Sequence, residues 1–130
     1  MQKVVIDSDI IIDFTRKAST FLSSLLERHY EKEVKLFVSA SVVMELMAGT
    51  ETTNKSKLQD LEEFFNKVQV IPLDYFLASQ AGFLIRDYKK LGFADAIVAA
   101  TVLSLGGKLA TRNKKDFQDI KGIKFFNGKN

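Results

Sequence analysis

Between Leu91 and Phe117 the chain runs LGFADAIVAATVLSLGGKLATRNKKDF. A short turn leads into a helix over Ala94–Leu105 that is apolar around its full circumference apart from Asp95, Thr101 and Ser104. Such a helix must be covered by neighbours on every side. Gly106-Gly107 stops it, Lys108-Leu109-Ala110-Thr111 reads as a strand, and a polar segment then opens another helix. With Asn113 as its cap, Asp116 falls at the third helical position, close to a capping box. A buried helix feeding a strand that feeds a helix is an α/β unit, and it sets two carboxylates, Asp95 and Asp116, at the entrances of two helices.

Working back toward the N-terminus, Asp74–Leu91 predicts a long helix with Leu77, Ala81, Leu84, Ile85 and Tyr88 in register. Lys89-Lys90 falls in its last turn, where lysines suit the helix dipole and need no ligand. Val68–Leu73, with the only proline, Pro72, is the third strand. Lys57–Lys67 is a helix carrying Leu58, Leu61 and Phe65 on one side. Phe64 widens that apolar face; core is the first reading of it and a partner or dimer surface the second. Thr50–Ser56 (TETTNKS) is the one segment expected to be flexible. Ser39–Gly49 has a cap, a stripe of Val42, Val43, Leu46 and Met47, and a glycine stop. Glu45 lies about 130° from the centre of that stripe, an exposed position on this segment alone.

Val34–Val38 is the second strand. Ser19–Tyr30 is a helix whose stripe of Phe21, Leu22, Leu25 and Leu26 continues to His29, the only histidine, read as a packing residue. Lys3–Ile6 is a β-branched run without alternation, as in a strand covered on both faces. It ends at Asp7, and Asp7-Ser8-Asp9 supplies capping side chains for the helix that follows. Capping accounts well for Ser8 or Asp9 and less well for a second acid at Asp7. Lys124–Phe126 is the candidate fifth strand. The expected fold is α/β, a three-layer α/β/α sandwich with a central parallel sheet of four or five strands in one domain over residues 1–130.

Bulk properties bound the function. Hydrophobic residues are 46% and charged residues 27%, an ordinary globular balance. Without cysteine there is no disulfide framework and no thiolate metal site. No signal peptide pattern and no apolar run near the roughly 20 residues needed to span a bilayer is present, so a cytoplasmic protein is expected. The net charge is +3, from 19 Lys+Arg against 16 Asp+Glu. Setting aside four clustered acids leaves 19 against 12, a remaining surface of +7 suited to nucleic acid.

In a parallel sheet, Asp7 after a strand, Glu45 one helical turn past a strand, Asp95 opening a helix and Asp116 after a strand all lie at the carboxyl-end edge, where open α/β sheets form their ligand crevices. Carboxylates gathered there repel one another and stay ionised only beside a cation. Oxygen donors, no cysteine and one stray histidine specify Mg²⁺ or Mn²⁺ rather than zinc. Such an ion keeps several waters, polarises a phosphoryl oxygen and lowers the pKa of an attacking water. Thr111-Arg112-Asn113, beside Asp116, offers a hydroxyl, a guanidinium and an amide to orient water or hold a phosphate, with Ser8 a further candidate.

At these residues the chain resembles the PIN domain, in particular the VapC-type toxins of toxin–antitoxin pairs. The matching pieces are VVIDSDIIIDF, SVVMELMAG and FADAIVAATVLSLGGKLATRNKKDFQDIKGI, in the family's order and at its length. The resemblance implies a metal-dependent endoribonuclease whose four signature acids map onto Asp7, Glu45, Asp95 and Asp116. Asp7, Asp95 and Asp116 would hold Mg²⁺ or Mn²⁺ directly, and Glu45 would bind it or position the attacking water. It further implies RNA, tRNA included, as substrate, a homodimer, and a cognate antitoxin clamped by the helices of Ser39–Lys67. Two alternatives remain. Asp7-Ser8-Asp9 also looks like the paired aspartates of haloacid-dehalogenase-type phosphatases, although Asn113-Lys114-Lys115-Asp116 lacks that family's Gly-Asp step. A non-catalytic PIN-fold module in an autoregulatory DNA-binding complex is the other, and the intact acids argue against it.

Overall fold

The computed structural model describes residues 1–16 and 20–128. β-Branched residues mark three of the strands, β1 (Gln2–Ile6), β2 (Val34–Ser39) and β3 (Gln69–Ile71), while β4 (Lys108–Ala110) is a short Lys-Leu-Ala run with Leu109 and Ala110 buried. They make one sheet of order β3-β2-β1-β4 with every neighbouring pair parallel. Val4, Val5 and Ile6 are all completely buried. Successive strand side chains point to opposite faces, so three in a row demand cover above and below, and helices supply it. The expected three-layer α/β/α fold is observed.

Helices α1 (Ser8–Arg16) and α2 (Thr20–Tyr30) connect β1 to β2, and α3 (Ala40–Ala48) and α4 (Lys55–Lys67) connect β2 to β3. Helices α5 (Tyr75–Asp87) and α6 (Phe93–Leu105) then carry the chain back across the sheet to β4. In α6, Ala96, Val98, Ala99, Ala100, Thr101 and Val102 are buried, and the Thr101 hydroxyl satisfies itself on the Ile97 carbonyl at 2.7 Å. Gly106 ends the helix in the left-handed region (φ 64°), returning its N–H to the Leu103 carbonyl, while Gly107 returns its own to Val102. A Cβ on Gly107 would stand 2.9 Å from the Lys3 carbonyl oxygen, so glycine lets β4 close against β1.

Several expectations need correction. The candidate fifth strand is a single bridge, Leu109 to Phe125, and the third strand is trimmed to Gln69–Ile71. Thr50–Ser56 is folded on itself: Thr52 Oγ1 donates to the Met47 and Gly49 carbonyls in a 3₁₀ turn, and Asn54 Oδ1 caps α4 by accepting Lys57 N–H at 3.1 Å. Phe64, by contrast, follows its first reading: it is 2% exposed, its ring lies 6.2 Å from that of Phe14, and it belongs to the core between α1 and α4. The long helix of Asp74–Leu91 stops at Asp87, with Asp74 as its cap; Tyr88 closes it, and Lys89-Lys90 stands beyond it in a turn. Those lysines thus follow the cap, and Arg86 is the basic residue of the last turn. Ser19, the first residue of the expected second helix, lies outside the described residues. His29 does pack, and its ring also satisfies a backbone donor. Nδ1 accepts the Leu36 N–H at 3.3 Å, on the part of β2 that β3 does not reach.

Candidate metal centre and active site

Parallel pairing puts the carboxyl ends of all four strands on one edge. Because β1 lies between β2 and β4, the chain winds outward to β3 and then crosses back, and the crevice of such a sheet opens at that switch, between β1 and β4. Asp7 follows β1 at this point and extends its ladder, donating its N–H to the Ala110 carbonyl at 3.0 Å. Its side chain is fixed from both sides. Oδ1 accepts Ser8 N–H at 2.8 Å, and Oδ2 accepts the Thr111 hydroxyl at 2.8 Å. Asp7 is 4% exposed. Burial raises its pKa above the ordinary carboxylate value; the Thr111 and Ser8 hydrogen bonds oppose this, and the charges of Asp9 and Asp116 add to it.

Glu45 and Asp95 are held in common register by serines. Ser39 Oγ accepts Val42 N–H and lies 3.1 Å from Ser41 Oγ, which donates to the Ala94 carbonyl at 2.9 Å. The first turn of α3 is thereby tied to the first turn of α6, one residue before Asp95. Asp95 does not cap its helix: Gly92 occupies that place and Asp95 is the third helical residue. Burial raises its pKa first, then Asp7, Asp116 and Asp9. Glu45, although on an exposed face of α3, is raised by partial loss of water, then by Asp7 and Asp95, with a Ser8 hydrogen bond opposing. Asp116 lies in a single 3₁₀ turn, Lys114–Asp116, rather than in a capped helix; the Asn113 side chain makes no capping bond. Of the four acids singled out in the sequence, Asp7 lies within electrostatic reach of Glu45, Asp95 and Asp116, and Asp95 within reach of Glu45 and Asp116.

The accompanying polar residues have partners of their own. The Thr111 hydroxyl is committed to Asp7, while also accepting Asn113 N–H at 3.0 Å, so it positions the acid. Arg112 donates its N–H to Asp9 Oδ2 at 2.9 Å and sets Nη1 2.8 Å from Asp13 Oδ2. Asp9 reads in the sequence as a cap. The structure turns it toward the β4 end instead, where Oδ1 is buried without a hydrogen-bond partner. The signal that it belongs here is its spacing: a second carboxylate two residues after Asp7, inside the first turn of a helix that starts at the crevice. Asp119, also unremarked in the sequence, joins Asp95 and Asp116 along a cleft of about 360 Å³ whose remaining wall includes Tyr88, Lys89, Lys90 and Lys115.

These residues fit a hard divalent cation. The donors are carboxylate oxygens, three of them hold protons more tightly than usual because burial and crowded charge disfavour ionisation, and one buried oxygen, Asp9 Oδ1, lacks any partner. Among the described residues no three acidic or histidine side chains are disposed to grip one ion together. The arrangement therefore suits an ion that keeps several waters and takes one or two carboxylates at a time, as Mg²⁺ does.

Comparison with known proteins agrees with this architecture. The tRNA(fMet)-specific endonuclease VapC of Shigella flexneri is 28% identical over 130 residues, covering 95% of this chain and 96% of that one. A chain of the toxin–antitoxin complex from Klebsiella pneumoniae superposes with a TM-score of 0.73 at 26% identity, covering 92% of this chain and 94% of that one. The fold also matches a chain of VapBC2 from Rickettsia felis, solved bound to a DNA fragment from their promoter, with a TM-score of 0.83 at 18% identity and coverage of 96% and 98%. No described helix is long and apolar enough to cross a membrane. Residues 4–123 match the model of the PIN domain, and with nearly its whole length inside that match the chain belongs to the PIN domain family.

Proposed function

We propose that this protein is an endoribonuclease of the VapC type, the toxin of a toxin–antitoxin pair, and that it hydrolyses RNA phosphodiester bonds with a bound Mg²⁺ or Mn²⁺. The observation that carries the reading is the gathering of Asp7, Glu45, Asp95 and Asp116, from separate stretches of the chain, at one sheet edge, where burial and then neighbouring carboxylates raise the pKa of Asp7, Glu45 and Asp95. Family membership and the endonuclease relative support it. Asp7, Asp95 and Asp116 are the acids proposed to hold it, one or two of them directly and the remainder through its waters. When bound, a divalent ion neutralises charge on the phosphate and acidifies the attacking water. Glu45, its pKa raised by partial burial and by Asp7 and Asp95, is suited to accept that water's proton as its oxygen bonds to phosphorus and the ester oxygen leaves. Thr111 and Ser8 hold the Asp7 carboxylate in place. A tRNA is the proposed substrate, after the relative's name, and a cognate antitoxin, bound along α3 and α4, the proposed partner of a homodimer in the cytoplasm.

The test is cleavage of a tRNA panel with and without EDTA by the parent, Asp7→Asn, Asp95→Asn and Glu45→Gln proteins, beside a phosphate-monoester assay. Metal-dependent RNA cleavage lost in all three variants with folding retained is the expected result. Equal cleavage by Asp7→Asn and Asp95→Asn at matched purity, or monoester hydrolysis in place of RNA cleavage, would overturn the assignment.

A further inference from the structure

Three lysines stand on the rim of the Asp95–Asp116 cleft, and the fold does not account for them. Lys89 and Lys90 follow the Tyr88 cap of α5 and are not part of its last turn. Lys115 reaches the same cleft from the loop after β4. All three are exposed. Three carboxylates line this cleft with them, yet the ion pairs among the described residues include none of the three lysines. The cleft thus offers carboxylates to a cation and, beside them, ammonium groups outside those ion pairs to anions.

We propose that Lys89, Lys90 and Lys115 form a track for the sugar–phosphate backbone of single-stranded RNA on one flank of the scissile bond; this rests on the ribonuclease reading above. A polynucleotide presents what such a cleft requires: one phosphate for the cation and further phosphates beside it for the rim. Lysine acts as a flexible point charge, without the planar fork by which arginine fixes a single geometry, so the track contributes affinity and register but no base preference. Arg112, engaged by Asp13 and absent from this cleft's lining, does not duplicate it.

The experiment is a salt titration. A labelled, unstructured oligoribonucleotide is bound to the full-length protein in the Asp7→Asn background, from about 50 to 200 mM KCl. Every single-strand phosphate that a lysine ceases to neutralise lowers the slope of log K against log salt by about 0.7. Lys89→Ala/Lys90→Ala should therefore lower it by about 1.4, and Lys115→Ala by about 0.7. The control Lys3→Ala/Lys35→Ala removes the same formal charge from exposed positions on β1 and β2, away from the cleft, and should leave the slope unchanged. In the parent background the Lys89/Lys90 double variant should raise KM with kcat retained. An equal fall in both double variants, or no fall in either, overturns the track; the second result would hold if the rim served an acidic protein segment. Failure of the ribonuclease reading shows separately, as absence of cleavage by the parent protein.

Discussion

Asp7→Asn should stabilise the metal-free protein while abolishing its activity, and the expected size follows from the contacts. Asparagine can leave its carbonyl oxygen on Ser8 N–H and turn its amide toward Thr111 Oγ1. The threonine can accept that bond because its own proton has a second acceptor, Asp9 Oδ2, at 3.5 Å. What disappears is a carboxylate that is 4% exposed, with Asp9 and Asp116 repelling it. Relief of an adverse charge at a functional site is worth roughly 0.5–2 kcal/mol. For a domain of this size each kcal/mol moves the midpoint by about 3–5 °C, so melts in EDTA at neutral pH should show the variant about 2–10 °C higher. Folding raises the Asp7 pKa above its ordinary value of 3.8, so between those two values the native state binds more protons than the unfolded chain. The wild-type contribution is full below 3.8 and is lost as pH rises through the raised folded value, which is where the variant's advantage should open. Mg²⁺ at a hundredfold excess over its Kd would return about 2.7 kcal/mol to the parent and less to the variant, inverting their order. A variant less stable than the parent in EDTA at neutral pH, or an advantage equally large in acid, would refute this account of Asp7.

Ser41→Ala removes the hydroxyl that ties α3 to the Ala94 carbonyl and should cost about 1–3 kcal/mol in urea unfolding. Because the tie also sets Glu45 against Asp95, single-turnover cleavage should fall roughly tenfold or more. Gly107→Ala presses a Cβ to 2.9 Å from the Lys3 carbonyl and should cost about 1–3 kcal/mol by forcing β4 away from β1. Gly82→Ala, inside α5 with nothing within 4 Å, should instead stabilise by about 0.5–1 kcal/mol; the opposite signs are read from paired urea midpoints.

The acids could be found in the sequence because a parallel α/β sheet converts order along the chain into position: whatever follows a strand or opens a returning helix arrives at one edge. Asp7, Glu45, Asp95 and Asp116 obey that rule. Asp9 escapes it because an aspartate two residues after a strand looks the same whether it caps a helix or faces a crevice, and only its contact with Arg112 N–H separates the two. The Asn113–Asp116 spacing mimics a capping box, although the chain makes just one turn there. Lys89 and Lys90 fall outside their expected helix for a related reason. Leu84, Tyr88 and Leu91 stay in helical register, but Leu91 reaches the core by leaving the helix, and periodicity does not distinguish the two routes to burial.

The hydrogen bond from Thr111 to Asp7 spans 104 positions, and Asp95 and Asp116 also come late in the chain. During synthesis β1 emerges first and waits, one flank bare, until β4 arrives to wall it in. A nascent or prematurely terminated polypeptide ending before residue 95 has Asp7 and Glu45 but neither of the acids that complete the centre. The four-acid set is thus assembled only from the late half of the chain onward, once α6 and β4 have closed on β1.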